Sequence, residues 1–230
     1  ELQFAEPVDV ERLMTSLRAQ NTDGYQFQVP LPDGSELIGV SPELLIRKNG
    51  RSFTSNPLAG STRRLPELAA DKDAGTELLR SEKDRYEHRL VVEDIHRLLQ
   101  PYCSQIDVPD QPSLLGTAAL WHLSTRIEGQ LNDPSMTVLQ LACLLHPTPA
   151  VCGYPTELAH RLIRFVEPFE RGLFTGIVGW CDAEGNGEWA ITIRCGIVER
   201  DVVRLFAGAG IVEASQPDCE WAEVQTKLGT

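Results

Sequence analysis

The stretch GIVGWCDAEGNGEWAITIRC, residues 176–195, decides the fold class. Two runs of β-formers flank AEGNG, and a glycine-rich link of this kind signals a hairpin. The spacing predicts strands over 176–182 and 188–199. In the second, Trp189, Ile191 and Ile193 share one face while Thr192 and Arg194 share the other. Residues 201–208 continue the meander.

The same patterns extend outward. Val10, Leu13, Met14 and Leu17 recur with helical period after Pro7 and Asp9, predicting a helix that ends near Asn21. Tyr25, Phe27, Val29 and Leu31 alternate with polar residues, and PDGS (32–35) turns the chain into a strand over 36–40. A strand over 44–48 turns at Asn49-Gly50 into 51–54. NPLAGSTRR (56–64) reads as a loop. SEKDRYEHRLVVEDIHRLLQ (81–100) is the strongest helix signal, with Val91, Ile95, Leu98 and Leu99 striped toward a core. LWHLSTRIEG (120–129) alternates, with His122, Ser124 and Arg126 opposite Trp121, Leu123 and Ile127. A helix over 136–145, the proline-rich turn HPTPAVCGYP and a helix over 156–166 precede the hairpin. No linker, repeat or low-complexity segment interrupts the chain. The expectation is α+β, with large antiparallel sheets and helices packed on the outside, as one domain over 1–230.

Composition narrows the function classes. The 230 residues are 42% hydrophobic and 23% charged, ordinary for a globular protein with a sizeable core. A net charge of −12 without a basic stripe argues against nucleic-acid binding. An anionic small molecule would need local counter-charge. No apolar run reaches the ~18 residues of a membrane span, and no signal-peptide pattern is present. The six cysteines form no C-x-x-C pair and no zinc spacing. They read as reduced thiols of a cytoplasmic protein.

No P-loop, H-E-x-x-H, EF-hand or G-x-S-x-G motif occurs, and GAGIVE lacks the third glycine of a dinucleotide fingerprint. His122 and His146, each taken alone, read as structural histidines. Carboxylates remain. In LFAGAGIVEASQPDCEWAEVQTK (205–227), Glu220, Glu223 and Lys227 stand three and four residues apart, neighbours on one helix face. Glu87 lies one turn before Val91 on the core-facing stripe, costly unless the carboxylate is paired, as in a helix-end salt bridge, or bound to a metal. Glu43 follows a Ser-Pro turn. Oxygen ligands without a Cys or His cluster suggest Mg²⁺. Arg194 and Lys227 are candidate carboxylate clamps.

GVSPELLIRK, NPLAGSTRR, SEKDRYEH, LWHLSTRIEG, LLHPTPAVCGYP, GIVGWCDAEGNGEWAITIRC, LFAGAGIVEAS and EWAEVQTKL occur in that order. They resemble successive blocks of the chorismate-utilizing enzymes, in detail the isochorismate synthases of siderophore or menaquinone biosynthesis. The resemblance runs from about Tyr25 to Leu228. It implies that Mg²⁺ bridges the ring carboxylate of chorismate to Glu87 and Glu223, with Glu220 a neighbour through water. Lys227 and the metal offset the substrate's negative charges. Arg194 clamps the enolpyruvyl carboxylate, Gly60 and Ser61 cradle the ring carboxylate, and Gly208 admits an oxyanion to its backbone. His122 lies near the ring, and Ala150 and Phe174 wall the pocket. Glu43 is the implied general acid, which requires burial to raise its pKa above ~4.3.

The implied reaction moves the chorismate hydroxyl from C4 to C2 by water attack. The family's water-activating base is a lysine on a strand before the first helix, and no such block occurs here. The chain also starts at Glu1 without a methionine. The expectation is therefore the C-terminal part of a monomeric enzyme, with the missing N-terminal segment as its partner and weak turnover alone. Salicylate synthase, anthranilate or aminodeoxychorismate synthase, and a non-catalytic chorismate-binding fragment are the alternatives.

Overall fold

The computed structural model describes residues 1–229. β1 (Leu2–Gln3) precedes α1 (Val10–Gln20), which is capped by Asp9 accepting from the Arg12 amide. β2 (Tyr25–Pro30) and β3 (Glu36–Ser41) form one hairpin, and β4 (Leu44–Asn49) and β5 (Ser52–Asn56) another. β6 (Leu58–Arg63), α2 (Leu68–Arg80) and α3 (Glu82–Leu99) follow. β7 (Cys103–Asp107), β8 (Ser113–Gly116), β9 (Leu120–Ser124) and β10 (Ile127–Leu131) lead to α4 (Val138–Leu145), α5 (Pro149–Cys152) and α6 (Thr156–Val166). The predicted hairpin is β11 (Ile177–Cys181) with β12 (Gly187–Ile191). β13 (Cys195–Glu199), β14 (Val202–Phe206) and α7 (Pro217–Leu228) complete the order.

Three antiparallel sheets result among the described residues. Their orders are β1-β14-β13-β3-β2, β11-β12-β4-β5-β10-β7 and β6-β9-β8. The α+β expectation holds. The main core fills the space between the six-stranded sheet and two helices. Ile46, Phe53, Ile127 and Ile191 meet Val91, Ile95 and Leu99 of α3 and Leu141 and Leu145 of α4. Each such side chain contributes about 1.5–3 kcal/mol by burial. The predicted stripe therefore fixes how α3 is rotated, and with it where Glu87 stands. A second cluster seats Met14 of α1 on Ile38, Val198 and Val203 of the five-stranded sheet.

Three local expectations fail, for one shared reason: strands leave one sheet for another. The run 188–199 is two strands, because the chain breaks at residues 192–194 and passes from the six-stranded to the five-stranded sheet. Arg194 takes a left-handed φ of 51° there. Residues 120–129 likewise split into β9 and β10 in different sheets, and His122, Leu123 and Ser124 are all buried rather than alternating. NPLAGSTRR is not a loop. Its residues 58–63 pair with β9, with a register shift between Ala59 and Ser61 where Gly60 takes φ 74°. Glycine at an irregularity in a strand is a bulge residue. The strongly amphipathic α6 buries none of its residues, and Leu158, Leu162 and Phe165 are exposed.

Candidate active site

The sheet crossings build a cleft. Pro42 and Glu43 link β3 to β4, and residues 192–194 link β12 to β13, so both links pass between the two larger sheets. Backbone bonds hold the links together: Ile191 N–H donates to Glu43 O and Val40 N–H to Arg194 O, each at 3.2 Å. Glu43 and Arg194 thereby enter one cleft. β6 and β9 add Gly60, Ser61 and His122, while α3 adds Glu87. Ala150 comes from α5, Phe174 from the segment before β11, Gly208 from beyond β14, and Glu223 and Lys227 from α7. Of the predicted site residues, Glu220 alone stands outside the lining.

The polar contacts tie last helix to first sheets. Ser61 Oγ donates to Glu223 Oε1 at 2.8 Å, and Lys227 Nζ lies 2.5 Å from the same oxygen. Lys227 also donates to the Gly208 carbonyl at 2.9 Å. Arg194 Nη2 and His122 Nε2 are 3.4 Å apart. Space is open around Gly208 where a Cβ would sit, and the steric constraint falls two residues later, at Gly210 beside Glu87.

Burial sets the charge states. It pushes the Glu43 carboxyl up to about 8, against a hydrogen bond from Leu58 and the fields of Lys227 and Arg194. Glu87 rises to about 7 through burial and the neighbouring Glu223. His122 falls to about 3 through burial beside Arg194 and Lys227. Arg194 falls to about 10 through burial, partly offset by Glu223 and Glu43. At neutral pH the cleft thus holds a protonated Glu43, a neutral His122 and a cationic Arg194.

Among the described residues no three His, Cys, Asp or Glu side chains gather as a metal cluster. The predicted trio is a cleft-facing pair, Glu87 and Glu223, with Glu220 turned to an ion pair with Lys83. Two mutually repelling carboxylates in a cleft fit Mg²⁺, which takes one or two carboxylates, waters and an anionic ligand.

Arg171, Thr175 and Gly210 are among the lining residues that sequence reasoning missed. Arg171 donates to Glu167 Oε2 and to Val151 O, each at 2.8 Å, and to Thr175 Oγ1 at 3.3 Å. Thr175 has φ 63°, and its carbonyl meets His146 Nε2 at 2.8 Å. His146 thus has a backbone partner and stands outside the cleft lining. The four-residue spacing of Glu167 and Arg171 was the available signal. Gly210 lies in LFAGAGIVEAS, the block from which Gly208 alone is singled out.

The family model described as chorismate binding enzyme matches residues 1–230. The chain belongs to the chorismate binding enzyme family. Isochorismate synthase EntC of Escherichia coli K12 is 53% identical over 223 residues, covering 97% of this chain and 57% of EntC. The crystal structure of DhbC from Bacillus anthracis matches at TM-score 0.95 and 46% identity, covering 97% of this chain and 61% of that one. MenF, the menaquinone-specific isochorismate synthase from Escherichia coli, matches at TM-score 0.89 and 33% identity, over 99% of this chain and 52% of that one. The chain thus spans between about half and three fifths of the length of these relatives. The similarity covers the three-sheet architecture and the chain segments that line the cleft.

Proposed function

We propose that this chain carries the chorismate site of an isochorismate synthase, an isomerase that moves the C4 hydroxyl of chorismate to C2. The observation that supports this most is Glu43, a buried carboxyl that keeps its proton at neutral pH and opens into the same cleft as Arg194 and Lys227. Water adds at C2, both conjugated ring double bonds shift, and the C4 hydroxyl departs as water with the Glu43 proton. A base takes the proton of the attacking water, so the sum is an isomerisation. A positioned acid of this kind contributes ~10²- to 10⁴-fold.

Arg194 and Lys227 are suited to anchor the two carboxylates of chorismate, one beside Glu43 and one beside Glu223. Glu87 and Glu223 would hold Mg²⁺, which when bound supplies positive charge against the ring carboxylate. Ser61, bonded to Glu223, keeps that carboxylate on the cleft wall. His122 is neutral, so it contacts the ring without adding charge. Ala150 and Phe174 give apolar walls that leave room for water and offer nothing to an amine. The base is assigned, by resemblance, to the lysine that the family carries on a strand before the blocks matched here.

The test is chorismate turnover with Mg²⁺, followed by chromatography, for the chain alone and with the lysine-bearing segment of a relative added. Isochorismate as end product, lost in Glu43→Gln, is expected with the added segment. Salicylate as end product, or no chorismate binding in calorimetry under either condition, would overturn the reading.

A further inference from the structure

We infer that Lys83 is a positioning residue for the two cleft carboxylates, acting through Glu220. The inference rests on Glu87 and Glu223 being the magnesium ligands. α3 carries Lys83 and Glu87 four residues apart, and α7 carries Glu220 and Glu223 three apart. Those spacings place each pair on one helix face. Lys83 Nζ forms an ion pair with Glu220 Oε1, so the two helices are tied at that level. One turn further along each helix stand Glu87 and Glu223, both on the cleft. Both helices also lie against β6. With that strand as a common floor, the tie sets the separation of the two ligands.

Burial makes Lys83 the controlling partner. Glu220 is only 6% exposed, whereas the Lys83 side chain is 26% exposed. Removing the cation would leave that buried carboxylate without its ion-pair partner. Its second oxygen, Oε2, is buried and has no hydrogen-bond partner among the described residues. Lys83 therefore engages one oxygen of Glu220 and holds that side chain in place one turn before Glu223 on α7. Groups that orient a ligand shell in this way typically change metal affinity by ~10- to 100-fold when removed.

The experiment is calorimetric titration of Mg²⁺ into the chain in the presence of chorismate, for wild type, Lys83→Met, Lys83→Arg, Glu220→Gln and the Lys83→Met/Glu220→Gln double variant. Thermal melts report folding in parallel. Lys83→Met should bind Mg²⁺ at least about tenfold more weakly, and Lys83→Arg should recover most of the loss. In the Glu220→Gln background Lys83→Met should add little, because coupled residues are not additive. If Lys83→Met alone loses its fold, the double variant, which buries no lone charge, carries the same comparison. Wild-type affinity in Lys83→Met, or fully additive losses, overturns the inference alone. Absence of Mg²⁺ binding by wild type overturns the magnesium reading and the inference with it.

Discussion

Glu87 Oε1 lies so close to Gly210 that a Cβ on residue 210 would come within 2.2 Å of it. The segment leaving β14 is therefore the surface on which the Glu87 carboxylate rests. Gly210→Ala has an inexpensive escape, since the obstructing atoms are the far end of a flexible side chain. We predict that the variant keeps the wild-type melting temperature within a few degrees, as expected of changes of about 0.5 kcal/mol. Its Mg²⁺ affinity should fall by about tenfold. Parallel melts and magnesium titrations check this, and unchanged affinity would show that the contact does not place Glu87.

Local sequence signals carried the elements that local physics governs. The AEGNG link, the Asn49-Gly50 turn and the stripe of α3 each appear where expected. The sheet crossings were illegible because β-alternation continues smoothly through Trp189, Ile191 and Ile193. Nothing local tells a strand to change sheets at Arg194, where tertiary pairing wins over periodicity. β6 was hidden by Pro57 and Gly60, which resemble loop residues until β9 supplies a partner. α2 was not read at all. The carboxylates and cations were legible one by one, but their convergence became legible only through the ordered blocks, since no spacing rule connects Glu43, Glu87 and Arg194 across separate elements. Arg171 fell outside those blocks and was lost.

The state of Glu43 should appear in the rate. Its carboxyl is pushed up to about 8, chiefly by burial, so the donor form is present at neutral pH and is lost as pH rises through that value. We predict a kcat profile in the complete enzyme that falls on the alkaline side with a midpoint near this pKa. Glu43→Gln should reduce kcat by ~10²- to 10⁴-fold and remove that limb. An alkaline limb of the same midpoint in Glu43→Gln would assign the proton to another group.

Stability of the ligand-free chain should show a plateau with two shoulders. Glu43 and Glu87 have folded values raised from 4.5 to about 8 and about 7, so their contribution is complete below 4.5 and is lost as pH rises through 7 and 8. His88 and His122 are lowered by burial from 6.5 to about 4 and about 3. Their contribution is complete above 6.5 and is lost as pH falls through 4 and 3. Between 4.5 and 6.5 the two effects oppose each other and nearly cancel. Melting temperatures across this range should be flat there, and Glu43→Gln should lessen the fall between pH 6.5 and 8. A Glu43→Gln curve as steep as wild type in that interval would remove Glu43 from the balance.

Selectivity for water should rest on the apolar wall. Phe174 is buried and stacks on Phe206, with ring centroids 5.3 Å apart, and Ala150 lines the same cleft against the main core. Neither side chain offers a hydrogen bond to a nucleophile, and a buried polar group without a partner is costly. Ala150→Thr with Phe174→Tyr adds two hydroxyls to this wall. These would bind the nucleophile region more strongly without improving the attack on C2. We predict that the double variant of the complete enzyme forms isochorismate about tenfold more slowly, as expected when misplacement of reacting groups weakens orientation. The loss should fall on kcat more than on KM, since neither residue is among the proposed carboxylate anchors. With ammonium present, an aminated product should accompany isochorismate. Product chromatography with and without ammonium decides it: wild-type rates with isochorismate alone would show that nucleophile choice is made elsewhere in the cleft.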